Sequence, residues 1–115
     1  MNQITPAECA YAAGFFDGEG WLGRKKRSSS DTTYQLRVHV TQNDRAPLDW
    51  LRERFGGSVL WERHAPRNPR HRWVTSGAPA KEFLAAVLPY LIVKRERALL
   101  ALTVPAAEIP NTRSA

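Results

Sequence analysis

The sequence predicts an α+β domain: a four-stranded antiparallel sheet with helices on one face and an open, polar, basic face on the other. Three observations predict it. Residues 33–41 alternate polar and apolar without a break, the mark of a strand with one buried face. Residues 9–16 are small or aromatic behind a strong helix-start signal. Gly, Pro and polar clusters cut the remaining apolar patterns into the order α-β-β-α-β-β-α-α.

The elements follow in chain order. Thr5-Pro6-Ala7-Glu8 opens the first helix, with Thr5 as N-cap, Pro6 at the first helical position and Glu8 closing a capping box. This helix is expected to end at Asp17 in an acidic turn. Residues 21–27 and 33–42 form a hairpin across the polar turn 28–32. Tyr34, Leu36, Val38 and Val40 face the helices, and Gln35, Arg37, His39 and Thr41 face away. Asn43 or Asp44 caps a second helix over 46–55, which Gly56-Gly57 stops. Residues 58–64 and 70–76 are the third and fourth strands, joined by a loop holding Pro66 and Pro69. In the fourth, alternation leaves open whether Trp73 or its neighbours Arg72 and Val74 point inward. Pro79 opens a third helix to about Tyr90. A fourth spans 93–103 with Ala98, Leu99 and Leu102 inward. Residues 1–104 make one domain, and 105–115 read as a flexible tail with little to bury.

Charge narrows the function. The chain of 115 residues carries 17 Lys and Arg against 11 Asp and Glu, a formal net charge of +6. That balance favours a polyanionic partner, nucleic acid before a membrane surface. No apolar run is long enough to span a bilayer. One cysteine, Cys9, excludes an intrachain disulfide, and the N-terminus lacks a signal peptide's pattern, so an intracellular protein, cytoplasmic or nucleoid-associated and not secreted, is expected. His39, His64 and His71 make no zinc spacing with that cysteine.

The stretch that organises the chain is Ala12–Gly20, Ala-Ala-Gly-Phe-Phe-Asp-Gly-Glu-Gly. Small residues on one side of a helix let a second helix approach closely, and carboxylates at the helix foot suit a hard divalent cation. This nonapeptide resembles the signature of the LAGLIDADG homing endonucleases, although Ala12 stands where the signature has Leu. Val40-Thr41-Gln42 resembles that family's end of the second strand. Leu88-Pro89-Tyr90-Leu91-Ile92-Val93-Lys94 resembles its late Pro-Tyr-Leu…Lys stretch. The likeness extends over 11–102 and is to the single-motif type.

The resemblance implies a homodimeric, site-specific double-stranded DNA endonuclease. Glu19 would be the metal-binding acid, aided by the Gly18 carbonyl. Gln42 would position water, and Lys94 would offset charge or assist proton transfer. Mg2+ would be the working ion, with Mn2+ able to substitute and Ca2+ supporting binding without cleavage. Ala10, Ala13 and Gly14 would pack against a second copy, with Asp17 at the same interface or holding the turn. The DNA would be long and near-palindromic, cut to short 3′ overhangs.

The polar sheet face would enter the major groove. Lys25, Arg27, Gln35, Arg37 and His39 alternate onto it from the first hairpin, and Arg63, Arg70 and His71 are expected from the second. Read without the resemblance, Gln42 is a strand-end amide and Lys94 one of several charges in Lys94-Arg95-Glu96-Arg97. A catalytically inactive DNA-binding protein or an intron RNA maturase on the same fold are the alternatives.

Overall fold

A computed structural model describes residues 3–28, 33–62 and 70–111. Helix α1 (Pro6–Glu19) leads into the hairpin of β1 (Gly20–Lys26) and β2 (Tyr34–Gln42). Helix α2 (Ala46–Phe55), β3 (Ser58–Glu62) and β4 (Arg70–Ser76) follow, then α3 (Ala78–Val87) and α4 (Arg95–Thr103). The sheet is antiparallel throughout, in the order β1-β2-β4-β3. The four-stranded α+β architecture is as the sequence predicts. Among the described residues, no helix is long and apolar enough to cross a membrane.

The helices pack on one sheet face through a mainly aliphatic core built around a cluster of buried aromatic rings. Phe16, Phe83 and Trp73 are essentially inaccessible, as are Leu36, Val38 and Val40 of β2. Phe83 meets Phe16 edge-on at 5.3 Å and Trp73 at 5.0 Å. Such contacts add about 0.5–1.5 kcal/mol each beyond area burial. Trp73 therefore settles the facing of β4: it points inward with Thr75, leaving Arg72 and Val74 on the open side. Its indole Nε1–H donates to the carbonyl of Gly56 at 2.8 Å. Gly56 and Gly57 adopt φ of 77° and 92°, and this left-handed pair both stops α2 and presents that carbonyl.

The Thr5–Glu8 capping box forms as expected, and Asp44 Oδ1 accepts from the Ala46 amide to start α2. Several boundaries differ from the sequence expectation. Helix α1 runs through Asp17 to Glu19, so both acids lie in its last turn rather than in a turn beyond it. It stops at Gly20, where a Cβ would collide with the Phe16 ring. Helix α3 gives way to a 3-10 turn at Leu88–Tyr90, and α4 begins only at Arg95. Leu99, expected inward, is 50% exposed, because Ala98 and Ala101 are the residues that let α4 lie close.

The segment after Pro105 is also corrected. Ile109 is buried in the core, and Asn111 reads both backbone groups of Arg24. Arg24 N donates to Asn111 Oδ1 at 2.6 Å, Asn111 Nδ2 donates to Arg24 O at 3.0 Å, and Arg24 Nη1 donates to Ile109 O at 2.7 Å. The segment closes the outer edge of β1, satisfying groups that an open edge strand leaves unpaired. Residues 112–115 lie outside the described residues.

Candidate metal centre and nucleic-acid interface

Helix α1 ends where β1 and β2 begin, so its last turn sits at one end of the sheet. Glu19 is exposed there and lines an open polar recess of about 320 Å³ with Thr41, Gln42, Asn43 and Arg70. The structure thus brings together Glu19 and Gln42, which are distant in sequence. The helix C-terminus carries the negative end of the backbone dipole. Asp17 and Glu19 add two acids, and no basic residue stands in that turn. Each such acid costs about 0.3–1 kcal/mol, a cost that a bound cation would reverse.

Asp17 holds the neighbouring chain. Its Oδ2 accepts from the Ile92 amide at 2.7 Å and its Oδ1 from the Lys94 amide at 3.0 Å. The Lys94 ammonium returns to the Asp17 carbonyl at 2.6 Å. This exchange fixes the turn before α4 and brings Lys94, only 5% exposed, beside the foot of α1. Burial holds the Lys94 ammonium below the usual lysine range, Asp17 opposes that shift, Arg97 adds to it, and Glu19 opposes it. Replacing Asp17 by Ala is expected to cost about 2 kcal/mol in urea unfolding, since two backbone donors lose a charged acceptor.

Among the residues expected at a dimer contact, Ala10 and Gly14 lie on the exposed side of α1, together with Gly18. A Cβ at Gly14 or Gly18 would touch nothing within 4 Å. Ala13 is a correction: it is fully buried within the subunit, one helical step round from Gly14, and offers no surface.

The open sheet face carries the charge. Lys25, Gln35, Arg37 and His39 project from β1 and β2 on this side, opposite the core residues. Arg27 follows β1 and is exposed. Arg70 comes from β4, with Arg72, whose facing alternation could not settle. His71 is a second correction. It pairs with Gln42 and Trp61 on the side of Val40 and Trp73, because strand periodicity places it one residue out of phase with Arg70 and Arg72. Arg63 lies outside the described residues.

The centre of the face has its own structure. Trp21 stacks on His39 with centroids 4.8 Å apart and planes 14° from parallel. Arg24, Lys25, Arg37 and Arg72 complete a shallow depression around them. Burial, then the charges of Arg72, Arg37 and Lys25, push the His39 pKa down to about 4 from 6.5. His39 is thus neutral at pH 7. Between pH 6.5 and 4 the unfolded chain binds a proton that the folded chain refuses. Stability therefore falls as pH drops through that window and is insensitive to His39 above it. After allowance for partial solvent exposure, the loss is expected to be on the order of 1–2 kcal/mol. Thermal melts of His39→Gln should lack it.

The fold is that of the LAGLIDADG homing endonucleases, with an acidic helix foot beside a basic sheet face. Among solved structures, the homing endonuclease I-CvuI, in complex with its target in the presence of calcium, is similar with a TM-score of 0.74 and 24% identity, over 92% of this chain and 69% of that one. The archaeal intron-encoded homing endonuclease I-Vdi141I, complexed with DNA, gives 0.67 and 20% over 83% and 64%. The LAGLIDADG meganuclease I-AabMI, bound to uncleaved DNA, gives 0.57 and 18% over 87% and 35%. No family model matches the sequence, and no curated protein matches it either.

Proposed function

We propose that this chain is a divalent-metal-dependent, site-specific double-stranded DNA endonuclease that works as a homodimer. The observation that carries the reading is the juxtaposition of Glu19 and Gln42 in one polar recess, beside the Asp17-held Lys94, at the end of a basic sheet face. The fold likeness to homing endonucleases complexed with DNA supports it.

The donor set suits a hard cation. Glu19 supplies one carboxylate, and Gln42 and Asn43 supply amide oxygens nearby. Among the described residues of one chain, no three His, Cys, Asp or Glu groups cluster as a metal cage. Mg2+ keeps much of its water and needs few protein ligands. A second copy packed through the Ala10, Gly14 and Gly18 face would bring a second Glu19 to the same axis. The final carbonyls of a helix lack intrahelical partners. Asp17's is taken by Lys94, and Gly18's is the next available to a cation.

When bound, the metal would lower the pKa of an attacking water and stabilise charge on the scissile phosphate. Glu19 would hold the cation, and Gln42 would orient the water. Lys94, with its proton loosened by burial, would offset phosphate charge or carry a proton. The sheet face would lie in the major groove, with Arg37, Arg70, Gln35 and Lys25 reading base edges or phosphates.

The test is a randomised double-stranded library incubated with the purified chain in Mg2+ and in Ca2+, followed by sequencing of ends. Cut ends converging on one near-palindrome with short 3′ overhangs, in Mg2+ alone, are expected. Retention without cutting in either ion would leave a DNA-binding protein and remove the nuclease.

A further inference from the structure

Glu62 is the one carboxylate among the described strand residues on the open sheet face. It lies on edge strand β3, opposite Arg70 and diagonal to Arg72 of central strand β4. Glu62 Oε1 stands 3.2 Å from Arg72 Nε, with the two side chains only 17% and 28% exposed. The contact is ionic rather than an aligned hydrogen bond, since Arg72 Nε has no hydrogen-bond acceptor in the fold. Arg72 in turn borders the Trp21–His39 stack and the Arg37 guanidinium.

A carboxylate here works against binding a polyanion. Phosphate contacts provide affinity without sequence information, and Glu62 repels phosphates. Its effect on neighbouring charge is different. Burial and the Arg72 charge both disfavour the protonated Arg37 guanidinium, and Glu62 favours it. Glu62 thus lets two arginines stand together on the face before DNA arrives, and it restrains the flexible stem of one of them. A guanidinium held by an acid is poorly placed to follow a phosphate, while its free edge keeps the fork that matches guanine O6 and N7.

We infer that Glu62 is a specificity-determining residue of the DNA face, a positioning residue that commits Arg72 to reading a guanine edge rather than a phosphate. This rests on the DNA-recognition reading above and adds the base and the residue pair to it.

The experiment is binding selection from a randomised duplex library in Ca2+ with the full chain, Glu62→Gln, Glu62→Asp and Arg72→Ala, alongside melting of each. The parent chain is expected to prefer guanine at one position in each half-site. Glu62→Gln should lose about fivefold or more of that preference at that position only, with unchanged or tighter binding to unrelated duplex. Arg72→Ala should lose the same preference, and Glu62→Asp should recover part of it. An unchanged selection profile in Glu62→Gln overturns the inference, with DNA recognition left standing. Preference lost evenly at every position, with a lowered melting point, also overturns it by making Glu62 a strut of the sheet. A parent chain that selects no sequence removes the recognition reading and this inference together.

Discussion

Glu19→Gln is expected to reduce Mg2+-dependent cleavage by about a thousandfold or more, while duplex binding in Ca2+ survives. The amide keeps the shape of the side chain but loses the charge that would hold a hard cation. Glu19 is exposed in the last turn of α1 and lines the recess rather than the core. Its loss also removes a negative charge from the negative end of a helix, so the variant should be slightly more stable, by about 0.3–1 kcal/mol. The sign separates the readings. A variant that is inactive and at least as stable as the parent marks Glu19 as functional. A variant that melts earlier marks it as structural, and one that still cuts removes Glu19 from the metal centre. End-labelled cleavage assays and thermal melts together decide between these.

Trp73→Ala is expected to cost about 3–5 kcal/mol in urea unfolding, a large share of the roughly 5–15 kcal/mol that holds a domain of this kind. Trp73 is fully buried on central strand β4, edge-on to Phe83, and its indole Nε1–H is bonded to the carbonyl that ends α2. Truncation opens a cavity between the sheet and α3 and leaves the Gly56 carbonyl short of a donor. Trp73→Phe should recover most of the loss, keeping the ring contact but not the hydrogen bond, which is worth about 1 kcal/mol. If both variants cost the same, the hydrogen bond rather than packing fixes the facing of β4. Because Arg70 and Arg72 alternate with the inward residues of that strand, the facing of Trp73 also decides which arginines stand on the open face.

Most of the architecture is legible in the residues. The period-two pattern of Tyr34–Gln42 marks one buried face, and β2 buries Leu36, Val38 and Val40 as that pattern requires. The Thr5–Glu8 box marks the start of α1, and Gly56-Gly57 the end of α2. The Glu19–Gln42 recess is legible only through resemblance, since 22 residues of chain lie between two groups that the hairpin register brings together. Lys94 is similar: nothing local distinguishes it from Arg95 or Arg97, and its burial follows from the Asp17 carboxylate gripping two amides across the fold.

Other features had no local signal. β4 contains Arg, His, Arg, Trp, Val and Thr in a row, so polarity does not define its inward side, and His71 and Arg72 exchange faces on a shift of one residue. Arg72 and Glu62 meet only because β3 pairs with β4 in one register. Ala13 is as small as Ala10, and only the packing of α1 on the sheet and α3 turns one inward and the other outward. The segment after Pro105 reads as loose because its composition is polar and proline-flanked. Ile109 and Asn111 find their partners on β1, more than 80 residues earlier.

The sequence by itself determined the order of elements, the apolar face of β2, the basic character of the other face and the acidic foot of α1, because periodicity, capping and charge are local properties of the chain. Tertiary structure alone decided which arginines share that face with Glu62, which side of α1 stays open, how Lys94 comes to be buried beside Asp17, and how Asn111 closes the β1 edge, because each depends on register or on contact between segments far apart in sequence.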